Sequence, residues 1–287
     1  MGFKLRDACM AFAGAAAMAV VFYTALPLSG QAPAPRLPRV AGKPDLNGIW
    51  QALNTANWDL EPHAAKAALA LRPGPVVPVP AKEVLAFGSI GAVPPGSGVV
   101  EGGEIPYTPE GLAKKKENQA KWLTSDPEIK CYLPGVPRAN YMDYPFQIFQ
   151  SDKAVAIAYQ YAGAYRNIYL KDPGPPQVDS WMGQSVGRWE GDTFVVVANG
   201  FHDQSWFDRA GNHHSEALKV TERYTMTDQD HLQYEATIED PRTFTRPWKI
   251  SMPLYRDVSR NARLGVFKCV EFVEELMYGH LRKEPVK

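Results

Sequence analysis

The sequence predicts a mainly β protein: an antiparallel meander closing as a barrel or a sandwich, with an irregular and helical segment ahead of it. Three observations predict this. From Pro145 onward, apolar and polar residues alternate in short runs, the period of a strand with one buried face. These runs are joined by short polar turns such as Glu190-Gly191-Asp192 and Thr227-Asp228-Gln229-Asp230. Such turns connect antiparallel neighbours, whereas parallel strands need long crossovers. The third observation is composition. The chain carries 25 prolines and 23 glycines in 287 residues, which disfavours a helical bundle and suits many turns. A hydrophobic fraction of 45% is enough to build a core.

Taken in order, residues 1–30 read as a targeting segment. Lys4 and Arg6 precede an almost uncharged run over residues 8–28, followed by small residues. That pattern describes a secretory signal peptide. The run is also long enough, at about 20 apolar residues, to remain as an inner-membrane anchor. Either way the basic flank stays cytoplasmic and the body is periplasmic or secreted. Cys9 lacks the residues that precede a lipidated cysteine. Residues 31–44 form a proline-rich linker expected to be extended and mobile. Residues 45–287 form a single mainly β domain, irregular and helical over 45–144 and stranded over 145–280.

Within that domain, Gly48-Ile49-Trp50 opens the first strand. The alanine-rich stretch Asp59–Leu71 predicts a helix ended by Pro73. Residues 72–106 are dense in proline and glycine and read as a lid, a binding loop or a disordered segment. Thr108-Pro109-Glu110 places an N-cap, a proline at the first helical position and an acid in the first turn, opening a helix to about Leu123. Strands are expected at Phe146–Gln150, Ala154–Tyr161, Tyr165–Leu170, Ser185–Trp189, Thr193–Ala198, Ala217–Met226, Leu232–Glu239, Trp248–Tyr255 and Val266–Phe272.

Charge and cysteines narrow the class. Lys+Arg and Asp+Glu both number 31. This balance lacks the basic footprint of a nucleic-acid binder. Beyond the leader only Cys131 and Cys269 remain. In an oxidising compartment they most simply form one disulfide; the alternative is two separate buried thiols.

Two strands break the rule that inner faces are apolar. Leu218, Val220, Tyr224 and Met226 share a face with Glu222, and Arg166 shares one with Ile168 and Leu170. A charge on an inner face must find a partner or line a wet cavity. Glu222 and Arg166 are therefore expected to meet inside the barrel or sandwich near a ligand cavity, with Tyr224 beside them. A bulge that shifts the register would put both charges outside.

The loop from Phe201 to Glu216 is where chemistry would sit. Histidine beside a carboxylate is the minimal acid–base unit, because imidazole titrates near neutral pH and the carboxylate orients it. His214 is the expected acid or base, with Asp203, Asp208 or Glu216 as its partner. Trp206, Phe207 and Trp181 would supply an apolar wall for a ligand. The alternatives are a metal held by His202, His213 and His214, which lacks any HExxH or CxxC spacing, and a turn-capping surface loop. Ser185 matches the letters G-x-S-x-G, but a hairpin follows where a nucleophile elbow needs a helix. With no Walker A or G-x-G-x-x-G motif, no nucleotide cofactor is expected, and a metal is the one cofactor alternative.

The stretch WMGQSVGRWEGDTFVV, with GFHDQSWFDRAGNHHSEALKVTERY, LQYEATIEDPRTFTRPW and DPEIKCYLPGVPR, closely resembles a group of exported bacterial proteins of unknown function. The likeness runs from Ile129 to the region of Cys269. More distantly, Gly48-Ile49-Trp50 leading into a meander resembles the lipocalin-like (calycin) barrels. That resemblance implies binding of small hydrophobic ligands and, in some members, enzymatic activity. The proline- and glycine-rich segment ahead of the barrel departs from a plain lipocalin. The expected function is thus an exported acid–base enzyme (hydratase, lyase, isomerase or hydrolase) acting on a small, largely apolar or aromatic molecule. The alternatives are a non-catalytic carrier using the same cavity and an envelope-interaction protein in which the loop is only surface.

Overall fold

A computed structural model describes residues 37–65, 93–273 and 276. The leader or anchor at 1–30, the first part of the proline-rich linker, and residues 66–92 lie outside these. Among the described residues no helix is long and apolar enough to cross a membrane.

A closed barrel of nine strands dominates the structure. A short hairpin, β1 (Arg39–Val40) and β2 (Lys43–Pro44), precedes it. The barrel strands are β3 (Gly48–Gln51), β4 (Phe146–Gln150), β5 (Val155–Tyr159), β6 (Tyr165–Tyr169), β7 (Gln184–Glu190), β8 (Thr193–Asn199), β9 (Lys219–Met226), β10 (His231–Glu239) and β11 (Trp248–Arg256). They pair in chain order, and β11 closes on β3. All neighbours are antiparallel except β6 and β7, which run parallel through Ile168↔Ser185 and Tyr169↔Val186. The expected antiparallel meander forms, closed as a barrel with this one parallel seam. The cause is parity: strands that alternate direction around a closed ring of odd number must leave one like-directed pair. The segment 170–183 supplies the long crossover a parallel pair needs.

Alternation sets the core. On β9, Val220, Glu222, Tyr224 and Met226 point inward and the intervening residues outward. Trp50, Phe146, Phe194, Tyr234, Ile250 and Leu254 are buried within the same core. The Gly-x-Trp triplet has a local reason. Trp50 is buried, and the Arg256 guanidinium lies 4.3 Å over its ring. That guanidinium also occupies the space where a Cβ on Gly48 would stand, and Gly48 adopts φ +144°. Only glycine fits both conditions.

Ahead of the barrel, Thr108 Oγ1 accepts from Gly111 N at 3.1 Å and starts helix α1 (Pro109–Ala120). A second short helix, α2 (Trp122–Ser125), follows. Arg138–Asn140 forms a 3-10 turn that sends Asn140 into the barrel core.

Three expectations are corrected. The helix over Asp59–Leu71 is absent across its described part. Asp59 Oδ1 takes the Glu61 N–H at 2.9 Å, and the carbonyls of Asp59, Leu60 and His63 accept from Ser97, Val99 and Gly96. Those pairings consume groups a helix would need. The strand over Val266–Phe272 is also absent. The barrel ring closes without it, and Val266 is 88% exposed. Finally, residues 39–44 are not a free linker, because β1 pairs with β2 and Arg39 pairs with Asp192 in the β7–β8 turn at 2.7 Å.

Cys131 and Cys269 stand at disulfide distance, with Cα atoms 5.7 Å apart. This ties the segment after β11 back to the irregular region before β4.

Candidate functional site

The loop between β8 and β9 folds inward on itself. His214 is 3% exposed. Its Nδ1–H donates to the Ser215 carbonyl at 2.9 Å, which leaves Nε2 to accept from Ser205 Oγ at 2.8 Å. Phe207 and Phe201 pack on the ring, 5.2 and 6.1 Å away between centroids. Burial lowers the imidazolium pKa to about 4, so the ring is neutral at pH 7. No carboxylate hydrogen-bonds to it among the described residues. Asp203 is exposed, and Glu216 pairs outside with Arg242 at 3.0 Å.

Asp208 organises the loop instead. It is fully buried and takes N–H groups from Leu60 at 3.0 Å, Ala210 at 3.0 Å, Asn212 at 3.2 Å and the Asn212 amide at 2.6 Å. Burial, reinforced by the Asp59 charge, raises its pKa to about 7 against those donors.

The three histidines of the loop diverge. His202 meets the Trp181 ring edge-on at 4.2 Å, and His213 Nε2 bonds the Gly111 carbonyl at 3.0 Å. No cluster of His, Cys, Asp and Glu suited to a metal forms among the described residues. Trp206 is buried, bridged to His213 through its backbone, and Trp181 packs on Tyr132 at 5.0 Å.

The second set of residues lies at the barrel centre. Arg166 and Glu222, 2% and 0% exposed, form an ion pair there. Arg166 Nε also donates to Ser185 Oγ at 2.7 Å. Glu222 Oε1 accepts from Asn140 at 2.7 Å, Tyr234 at 2.8 Å and Tyr224 at 2.9 Å. Tyr159 donates to Asn140 Oδ1 at 2.9 Å. Burial first, then the Glu222 charge, pushes the Tyr224 and Tyr234 phenols well above their ordinary range. Ser185 thus serves as a buried hydrogen-bond partner within β7. The chain matches no protein-family model, no curated protein and no solved structure. A nine-strand mixed barrel is compatible with the lipocalin-like expectation at the level of fold.

The third set opens to solvent. Where the segment after β11 crosses back over the barrel, a cleft of about 210 Å³ is lined by Tyr144, Tyr161, Phe267, Glu128, Arg209 and the Cys269 region. Tyr144 and Phe267 have centroids 4.6 Å apart, Tyr161 and Phe267 5.0 Å, and Tyr144 and Tyr161 5.9 Å. The polar wall is a preorganised network. Arg209 Nε lies 2.7 Å from Glu128 Oε2, and Arg138 lies 2.8 Å from the same carboxylate and 2.9 Å from Asp126. Burial would raise the Glu128 pKa, but Arg209 and Arg138 overcome it and hold it down at about 2. The Arg209 guanidinium lies 4.3 Å over the Trp58 ring.

Sequence reasoning missed Asn140, Tyr159, Glu128, Arg209 and the aromatic trio. Tyr234 carried a signal, since it shares the inner face of β10 with Leu232, Ala236 and Ile238. The others sit in irregular stretches or on faces that only the closed barrel defines.

Proposed function

We propose that the protein is an exported, non-catalytic binding protein for a small aromatic molecule, held in the cleft between the barrel and its disulfide-tethered C-terminal segment. The observation that carries this reading is the trio Tyr144, Tyr161 and Phe267 converging on one opening. Aromatic walls with a few fixed polar groups are the usual makeup of a small-molecule site. Size agrees: an apolar cavity of about 150 Å³ holds benzene, so about 210 Å³ accommodates one substituted ring. Glu128 and Arg209 neutralise each other on the polar wall and the exposed Lys268 adds a cation to the lining, which favours a ligand with hydrogen-bonding substituents and at most one negative charge. An acid–base role for His214 has less support, because both ring nitrogens are engaged inside the loop.

Ligand-observed NMR with p-cresol, indole and benzoate tests the proposal. Saturation transfer to at least one of them is expected, and Phe267→Ala should abolish it while leaving the thermal unfolding curve in place. Transfer to none, or transfer indifferent to Phe267→Ala, would refute the assignment.

A further inference from the structure

The parallel seam creates a second cleft on the outer wall, remote in chemistry from the first. Strand β6 reads Tyr165-Arg166-Asn167-Ile168-Tyr169, with exposed and buried residues alternating. Arg166 and Ile168 point into the barrel, so Tyr165, Asn167 and Tyr169 stand outside in one row. Tyr165 is 60% exposed and Tyr169 41%. Two exposed rings in one row make a flat aromatic surface of the kind that can seat a ligand.

The neighbourhood is shaped around that row. On one side, β5 places Ala158 opposite Tyr165 and Ala156 opposite Asn167. These small side chains leave the tyrosine rings standing proud of the sheet. On the other side, β7 joins β6 only at its last residues. The crossover 170–183 runs past the opening, with Pro173, Pro175 and Pro176 as a stiff wall. Gln184 Nε2 holds this wall in place by donating to the Gly174 carbonyl at 2.7 Å. The result is a cleft of about 480 Å³ lined by the two tyrosines, Asn167, Gln177, Ser180, Gln184 and those prolines.

The lining selects a ligand class. The one ionisable side chain other than tyrosine is Arg166; its Nη2 and Nε reach Glu222 and Ser185, its Nη1 has no hydrogen-bond partner among the described residues, and the residue is only 2% exposed. The cleft therefore presents no accessible charge. What it does present is flat aromatic surface and amide and hydroxyl groups that both donate and accept. Hydroxyl-rich rings have the matching makeup, with apolar C–H faces to lie on tyrosine and vicinal hydroxyls to meet amides in pairs. Tyr165 and Tyr169 are four residues apart on a strand, roughly 13 Å, the span of a short chain of sugars and not of a single ring. A proline-rich peptide would also lie on tyrosines, but its prolines lack N–H donors and would leave the acceptors of Asn167, Gln177 and Ser180 unmet.

We propose that the outer face of β6, with the crossover 170–183, is a binding site for a neutral oligosaccharide. Isothermal titration of the whole protein with neutral hexasaccharides of glucose, N-acetylglucosamine, xylose and mannose tests this. At least one should bind at millimolar concentration or below. Tyr165→Ala and Tyr169→Ala should each weaken it roughly tenfold or more, while Tyr165→Phe retains most of the affinity. Both side chains are exposed, so unchanged thermal unfolding should accompany each variant. Binding of none of the four saccharides overturns the proposal. So does binding that survives both alanine substitutions, or capture of a proline-rich peptide at this face with no saccharide bound.

Discussion

Replacing Arg166 by methionine tests whether the polar barrel centre is a desolvated ion pair. Methionine keeps much of the side-chain length and volume and deletes the guanidinium. Glu222 then remains buried with its charge uncompensated. Three neutral donors, Asn140, Tyr224 and Tyr234, still reach Oε1, but Oε2 loses Arg166. Removing one partner of a buried pair costs about 3–5 kcal/mol. The three surviving donors favour the lower end, and Ser185 Oγ losing its own partner adds about 1 kcal/mol. We expect about 4 kcal/mol in all. At about 2–4 °C per kcal/mol for a chain of this size, the melting temperature should fall by about 8–16 °C. Urea unfolding followed by tryptophan fluorescence and circular dichroism measures the change directly, with the slope m unaltered. The partner variant Glu222→Leu and the double variant complete the cycle. The double variant should cost less than the sum of the singles by about 2 kcal/mol or more, because it leaves no orphan charge. If Arg166→Met costs less than about 1 kcal/mol and the double variant is additive, the pair is not desolvated and the reasoning fails.

Three other outcomes follow from the same structure. Burial holds the folded His214 pKa at about 4, below its ordinary 6.5. Between those values the unfolded chain binds the proton and the native chain does not. This contribution is therefore complete above pH 6.5 and is lost as pH falls to 4, on the order of 3 kcal/mol. His214→Gln should flatten the wild-type slope of stability across that window, measured by urea unfolding at several pH values; identical slopes would count against it. The Cys131–Cys269 link spans a sequence separation of 138. Reducing it, or Cys269→Ser, should cost about 2–5 kcal/mol and abolish aromatic binding in the cleft. Binding unchanged under dithiothreitol would detach the C-terminal segment from the site. Gly48→Ala sets a Cβ against the Arg256 guanidinium at φ +144°. It should destabilise by more than about 1 kcal/mol, relieved in part by Arg256→Ala; a neutral Gly48→Ala would dissociate the glycine from that packing.

Periodicity was enough for the barrel strands from β4 to β11. From Phe146 to Arg256 the expected and observed strands agree to within a residue or two, because period-2 burial is a local property of the chain. The N-cap at Thr108 was legible for the same reason, being written in adjacent residues. Where the sequence misled, the deciding partner was distant. Asp59–Leu71 has helical composition, yet its described carbonyls pair with residues 96–99. Val266–Phe272 has strand composition, yet the barrel ring closes without it.

The same division holds for the candidate sites. That Glu222 and Arg166 stand on inner faces follows from alternation, so the sequence by itself determined that two opposite charges needed partners. Alternation says nothing about which strands meet. Closure of the ring brings β6 and β9 to face each other and recruits Asn140 from the 3-10 turn Arg138–Asn140. The composition of the loop 201–216 was plain, but burial, which depends on every element packed over it, made His214 a neutral core residue. Both clefts belong to tertiary structure alone. One exists because a disulfide folds the C-terminal segment back over the barrel, the other because an odd number of strands forces one parallel seam and a long crossover beside it.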